Sequence, residues 1–149
     1  MAKKSVLIAA QIALVTEIND RLTSVLTTER TLADSHQKQN ARLNDAGNNH
    51  TMSNVGGRVV STDPKINAGI SEIGELDQAH IKAVSELDQS LSKIIADKEV
   101  FFTPLRAAFE RETSEARMIE AAENACMDGS MHPINRAKKL LAALSAFAE

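Results

Sequence analysis

Apolar residues return at intervals of three and four from Ser5 to about Ala46, with no Gly or Pro to interrupt them, and this spacing predicts a single long amphipathic helix. Ile8, Val15, Leu22, Glu29, His36 and Leu43 recur every seven residues, and Ile18, Val25 and Leu32 supply a second seam position. The seam is apolar in its first half and turns polar at Glu29, His36 and Gln39. A second long helix is predicted from Pro64 to about Phe102, with Ile66, Ile70, Ile73, Val84, Leu87, Leu91 and Ile95 on its buried stripe. Asp63 ahead of Pro64 supplies the capping carboxylate and first-turn proline that start a helix. Within this helix Glu75-Leu76-Asp77-Gln78 recurs as Glu86-Leu87-Asp88-Gln89, an eleven-residue step close to the natural helical period.

Between the long helices, Gly47 to Thr62 holds Gly47, Asn48, Asn49, Gly56 and Gly57, a cluster that breaks helices and predicts a long loop over 47–63 with a short extended piece at Arg58-Val59-Val60. Thr103-Pro104 repeats the cap-and-proline signal and predicts a third helix over 104–127, with a kink as the alternative to a break. Its apolar positions are Leu105, Ala108, Phe109, Ile119 and Ala122. A last helix over 133–148 places Ile134, Ala137, Leu140, Leu141, Leu144 and Phe147 on one side and Arg136, Lys138 and Lys139 on the other. The expected fold is all-α: two long antiparallel amphipathic helices forming a coiled-coil-like hairpin, plus two shorter C-terminal helices, in a single helical domain over 1–149.

Composition narrows this picture. Without Trp or Tyr and with only four Phe in 149 residues, the interior is left to Leu, Ile, Val and Ala, which suits slender helix packing. A net charge of −3 and the scarcity of aromatics give no field for gathering phosphates and no platforms for stacking bases, so nucleic acid is not an expected partner. One cysteine, Cys126, cannot form an intrachain disulfide, and a cytoplasmic setting is expected, or a virion assembled there. The stretch after Lys3-Lys4 is interrupted by Gln11 and lacks a small-residue cleavage site, so it reads as helix rather than leader. No run approaches the roughly 20 apolar residues of a membrane span. The C-terminal helix is only modestly basic, so membrane contact is not expected either.

Candidate chemistry is sparse. Folding the two long helices about the loop brings Glu29 opposite His80, and His36 near Ile73 and Asp77. Glu29, His36, Asp77 and His80 therefore form either a polar layer that sets register or a set of ligands for zinc or iron. The polar layer is the favoured reading, because the Glu-x-x-His pairs of di-iron bundles are absent. Glu110, Glu112, Glu115, Glu120 and Glu123 have the one-face spacing of magnesium-binding carboxylates, yet Arg106, Arg111 and Arg117 alternate with them as on a solvated helix face. No nucleophile elbow, phosphate-binding Gly-Lys-Ser/Thr loop or paired-cysteine motif occurs, so no cofactor and no catalytic residue are assigned. Gly56-Gly57-Arg58 is a flexible turn with one cation and a candidate contact with a partner.

Helices near 60 Å long, at roughly 1.5 Å per residue, leave more seam than the short helices can cover. A second copy is the expected cover, gripping Ile8, Val15, Ile18, Leu22, Val25 and Leu32 of the first helix and Val84, Leu87 and Leu91 of the second. The function this implies is a non-enzymatic oligomeric assembly or adaptor protein, similar in kind to phage and virion accessory components. The alternatives are an inhibitor or regulator that sequesters a protein or small ligand through 47–62 or an inter-subunit site, and a metal-dependent helical-bundle enzyme.

Overall fold

A computed structural model describes residues 9–49, 51–107 and 113–145. The chain is all-α apart from one small hairpin: α1 (Ala9–Ala46), β1 (Met52–Val55), β2 (Arg58–Ser61), α2 (Pro64–Ala96), α3 (Lys98–Ala107), α4 (Ser114–Met127) and α5 (Pro133–Leu144). The long helices α1 and α2 pack against each other as an antiparallel pair. Two compact units divide the chain, one made of residues up to Val25 together with those from Ala83 onward, the other of Leu26–Lys82.

The first unit holds the hydrophobic core. Seventeen of the eighteen buried apolar side chains among the described residues belong to it, including Ile18, Leu22, Val25, Leu87, Leu91 and Ile94 from the long helices. Phe101, Phe102 and Leu105 of α3, Ile119 and Ala122 of α4, and Leu140 and Leu144 of α5 complete it. Phe101 and Phe102 meet edge to face with centroids 4.8 Å apart, a geometry that the ring quadrupole favours. Gln11 is buried and its side-chain amide donates to the Phe101 carbonyl at 2.7 Å, which ties α1 to α3. The seam residues Ile18, Leu22, Val25, Leu87 and Leu91 are thus covered by the chain itself, while Val15 and Val84 are half-buried. Ile8 lies outside the described residues.

Helix boundaries differ from expectation around Pro104. The break falls at Asp97, and α3 runs from Lys98 through Pro104 to Ala107. In an α-helix a proline there forgoes the bond to the carbonyl four residues back, that of Val100. Thr103 turns its hydroxyl to Glu99 at 3.0 Å instead of capping a helix. The cap is Thr113, whose side chain accepts from the Ala116 N–H at 3.1 Å and begins α4. Ala108, Phe109, Glu110, Arg111 and Glu112, and Phe147 beyond α5, lie outside the described residues. His132 Nδ1 accepts from the Ile134 N–H at 3.1 Å, and with Pro133 in the first turn this starts α5.

Arg136 is a second departure. Expected on the solvated side of α5, it is 7% exposed. Its guanidinium donates to the Asp88 carboxylate at 3.3 Å and to the Cys126 carbonyl. That carbonyl sits in the last turn of α4, where helix geometry leaves acceptors unsatisfied and the dipole favours a cation. Burial of Arg136 therefore stitches α5 to α2 and to the end of α4.

Candidate functional site

The second unit is built differently. The α1 segment from Leu26 to Ala46 runs to a β-hairpin, and α2 returns from Pro64. Within the expected loop over 47–63 the chain forms a hairpin: β1 and β2 pair antiparallel with Val55 opposite Arg58 and Met52 opposite Ser61. A two-residue connection results, and its residues Gly56 and Gly57 have φ of 59° and 82°. Positive φ at both positions is the type I′ turn, whose twist matches that of the strands and whose left-handed backbone glycine enters at no steric cost. Asn54 Oδ1 braces the turn by accepting from the Gly57 N–H at 3.1 Å. The signal was in the sequence, since Gly-Gly sits between Met52-Ser53-Asn54-Val55 and Arg58-Val59-Val60-Ser61.

Asn67 secures the hairpin to α2. Its side-chain amide accepts from the Ser61 N–H and donates to the Ser61 carbonyl, at 2.5 and 2.6 Å, so it occupies the place of a neighbouring strand. Asp63 accepts from the Lys65 N–H at 2.9 Å, as expected of the cap. Beside this junction lies a groove of about 570 Å³ lined by Val55, Arg58, Val59, Val60, Asn67, Ile70, Ser71 and Gly74. Val55 and Val59 are 63% and 52% exposed, so the turn Gly56-Gly57-Arg58 projects with apolar side chains on either side.

Between the helices the unit is polar where the first is apolar. Gln39 is buried and donates to the Ile66 carbonyl at 3.0 Å; buried Ser35 donates to Glu72 at 3.2 Å. These contacts give an antiparallel register within a turn of the expected one. Gly69 is buried under Gln39, and a Cβ there would lie 2.6 Å from Gln39 Cδ. The polar layer therefore exists, but its members are Ser35 and Gln39. Glu29, His36 and Asp77 are exposed, and His80 is half-buried with Nε2 enclosed. A small hydroxyl with a hydrogen-bond partner costs little to bury, and Ser35, donating to Glu72, is the residue turned inward here. Among the described residues no three His, Cys, Asp or Glu side chains come close enough to share a metal ion. Gln39 was legible as a polar seam position; Ser35, Asn67 and Gly69 were not, because nothing in periodicity marks a close approach.

The apolar inventory is short. Ile66 is the single fully buried apolar side chain of Leu26–Lys82 among the described residues. Leu26, Leu32, Leu43, Ile70, Ile73 and Leu76 are half-buried, and Ile81 is 54% exposed. Two packed helices shield their seam from one side each and leave the flanks wet. Cys126, in the other unit, is buried, and burial pushes its thiol up from 9.0 to about 11, so it is no nucleophile at neutral pH. No helix among the described residues is long and apolar enough to cross a membrane.

Searches of protein-family models, of curated proteins and of solved structures find no match to this chain.

Proposed function

We propose that the chain is a non-enzymatic assembly or adaptor protein in which the first unit is the folded body and residues 26–82 are the arm that associates, chiefly with another copy. The observation that carries this reading is the contrast in burial: among the described residues, seventeen enclosed apolar side chains lie in one unit against Ile66 alone in the other. Leu32, Leu43, Ile70, Ile73 and Leu76 are only partly covered, and with up to about a third of the 1.5–3 kcal/mol of full burial still to gain at each, covering all five supplies roughly 1–4 kcal/mol toward association. The expectation of oligomerisation thus moves from the apolar seam of the first half of α1 to the arm.

Light scattering across a concentration series tests it. The full chain is expected to gain mass with concentration, and Ile73→Glu to reduce that gain while helicity by circular dichroism is kept. A monomer at every concentration overturns the proposal. A second reading rests on exposed Val55 and Val59 around the I′ turn, which would make the hairpin the partner contact. It is favoured if Val55→Ser with Val59→Ser lowers the mass and Ile73→Glu does not.

A further inference from the structure

Charge is unevenly spread along the arm. Its tip, residues 37–66, carries Lys38, Arg42, Arg58 and Lys65 against Asp45 and Asp63. Its stem, residues 26–36 and 67–82, carries Glu29, Asp34, Glu72, Glu75 and Asp77 against Arg30 and Lys82. The tip is therefore net positive and the stem net negative, while the half-buried stripe runs through both: Leu43 in the tip, Leu32, Ile73 and Leu76 in the stem.

From this asymmetry, and resting on the association reading above, we infer that two copies pack their 26–82 arms antiparallel, the basic tip of each over the acidic stem of the other, closing a four-helix bundle on the apolar stripe. A two-fold axis across the arm pairs the same patches twice, which is the geometry of a closed dimer. The parallel alternative sets tip against tip and stem against stem, and like charges facing each other across a partly desolvated interface oppose it. The α1 segment from Leu26 to Ala46 is about 30 Å long at roughly 1.5 Å per residue, an ordinary length for bundle helices. Ser35 and Gln39, buried within each arm, fix the registry of α1 on α2 and leave the outer charges to fix that of arm on arm.

The test uses the full chain and two pairs of exposed residues outside the intrachain hydrogen bonds of the polar layer. Lys38→Glu with Lys65→Glu reverses the tip, and Glu75→Lys with Asp77→Lys reverses the stem. Each pair is expected to raise the dissociation constant of the dimer about tenfold, since a dimer then carries four reversed side chains at exposed positions, each a weak contributor. All four changes together restore complementarity and are expected to return it to within about threefold of the original. Stem reversal brings the net charge of −3 toward zero, so weakening there cannot come from overall repulsion. If either pair associates as tightly as the original, or if the fourfold variant is weaker than both pairs, the antiparallel arrangement is overturned while assembly stands. A monomeric original chain instead overturns the association reading. Should a reversal lose helicity, the neutral Lys38→Gln with Lys65→Gln replaces it, with weakening of about threefold expected and none refuting.

Discussion

Helix α2 contains two glycines five residues apart whose replacement by alanine should act in opposite directions. Alanine in a helix interior is favoured over glycine by about 1 kcal/mol, because glycine loses more backbone freedom on folding. At Gly74 an added Cβ meets nothing within 4 Å, so Gly74→Ala should raise stability by nearly that full amount, about 1 kcal/mol. At Gly69 the same methyl lies 2.6 Å from both Gln39 Cδ and an Arg42 guanidinium nitrogen, and nearer still to Gln39 Oε1. Gln39 has to leave, forfeiting its bond to the Ile66 carbonyl and the 3.3 Å bond it accepts from Arg42. A buried amide stripped of its partners costs about 1–3 kcal/mol, which exceeds the gain in propensity, so Gly69→Ala should destabilise by about 1–2 kcal/mol. Urea unfolding followed by circular dichroism measures both changes, and hydrogen exchange over residues 26–82 locates the second. Adding Gln39→Ala to Gly69→Ala removes the obstructing side chain and should recover part of the loss. If Gly69→Ala stabilises as much as Gly74→Ala, the close approach of α1 to α2 at this point is wrong.

Three further expectations concern the turn, the buried guanidinium and the thiol. Gly57→Ala places a Cβ at φ 82° and should destabilise the hairpin by about 1–2 kcal/mol, seen as faster amide exchange at Thr62, whose N–H donates to the Thr51 carbonyl; unchanged exchange refutes the I′ assignment. Arg136→Met should lower stability by about 1–3 kcal/mol through the lost donor to the Cys126 carbonyl, since Asp88, with a side chain 52% exposed, can return to water; a neutral result in urea unfolding would deny the bond. The Cys126 thiol is held near 11 when folded against an ordinary 9.0, so the unfolded chain ionises first. Its contribution is intact below pH 9 and drains away up to about pH 11, a difference of roughly 2–3 kcal/mol that Cys126→Ala should abolish from the alkaline limb of the stability profile.

The long elements were legible because their causes are local. Ala46 ends α1 where Gly47 takes φ 54°, and Asp63-Pro64 opens α2, as the residue types dictate. Long-range causes were not legible. Thr103-Pro104 carries a helix-start pattern, yet burial of Phe101, Phe102 and Leu105 on one face keeps α3 continuous through it. Arg136 looks like a surface cation until the end of α4 and Asp88 are placed beside it. Glu29 and His36 fit a strict seven-residue repeat, but the helix brings uncharged Ser35 inward at the cost of that strictness. Of the candidate site, the turn Gly56-Gly57-Arg58 and polar Gln39 could be read from the chain; the burial contrast between units could not, because it depends on which helices lie against which.

The enclosure of Cys126 has a practical side. It is the chain's single cysteine, it is fully buried, and its thiol stays protonated well above neutrality. Thiol-directed dyes and spin labels should therefore ignore the native protein, and one cysteine introduced at an exposed position such as Ser53 or Gln78 becomes its sole point of attachment. A probe can be hung on the arm this way without first deleting the residue that packs against Leu91.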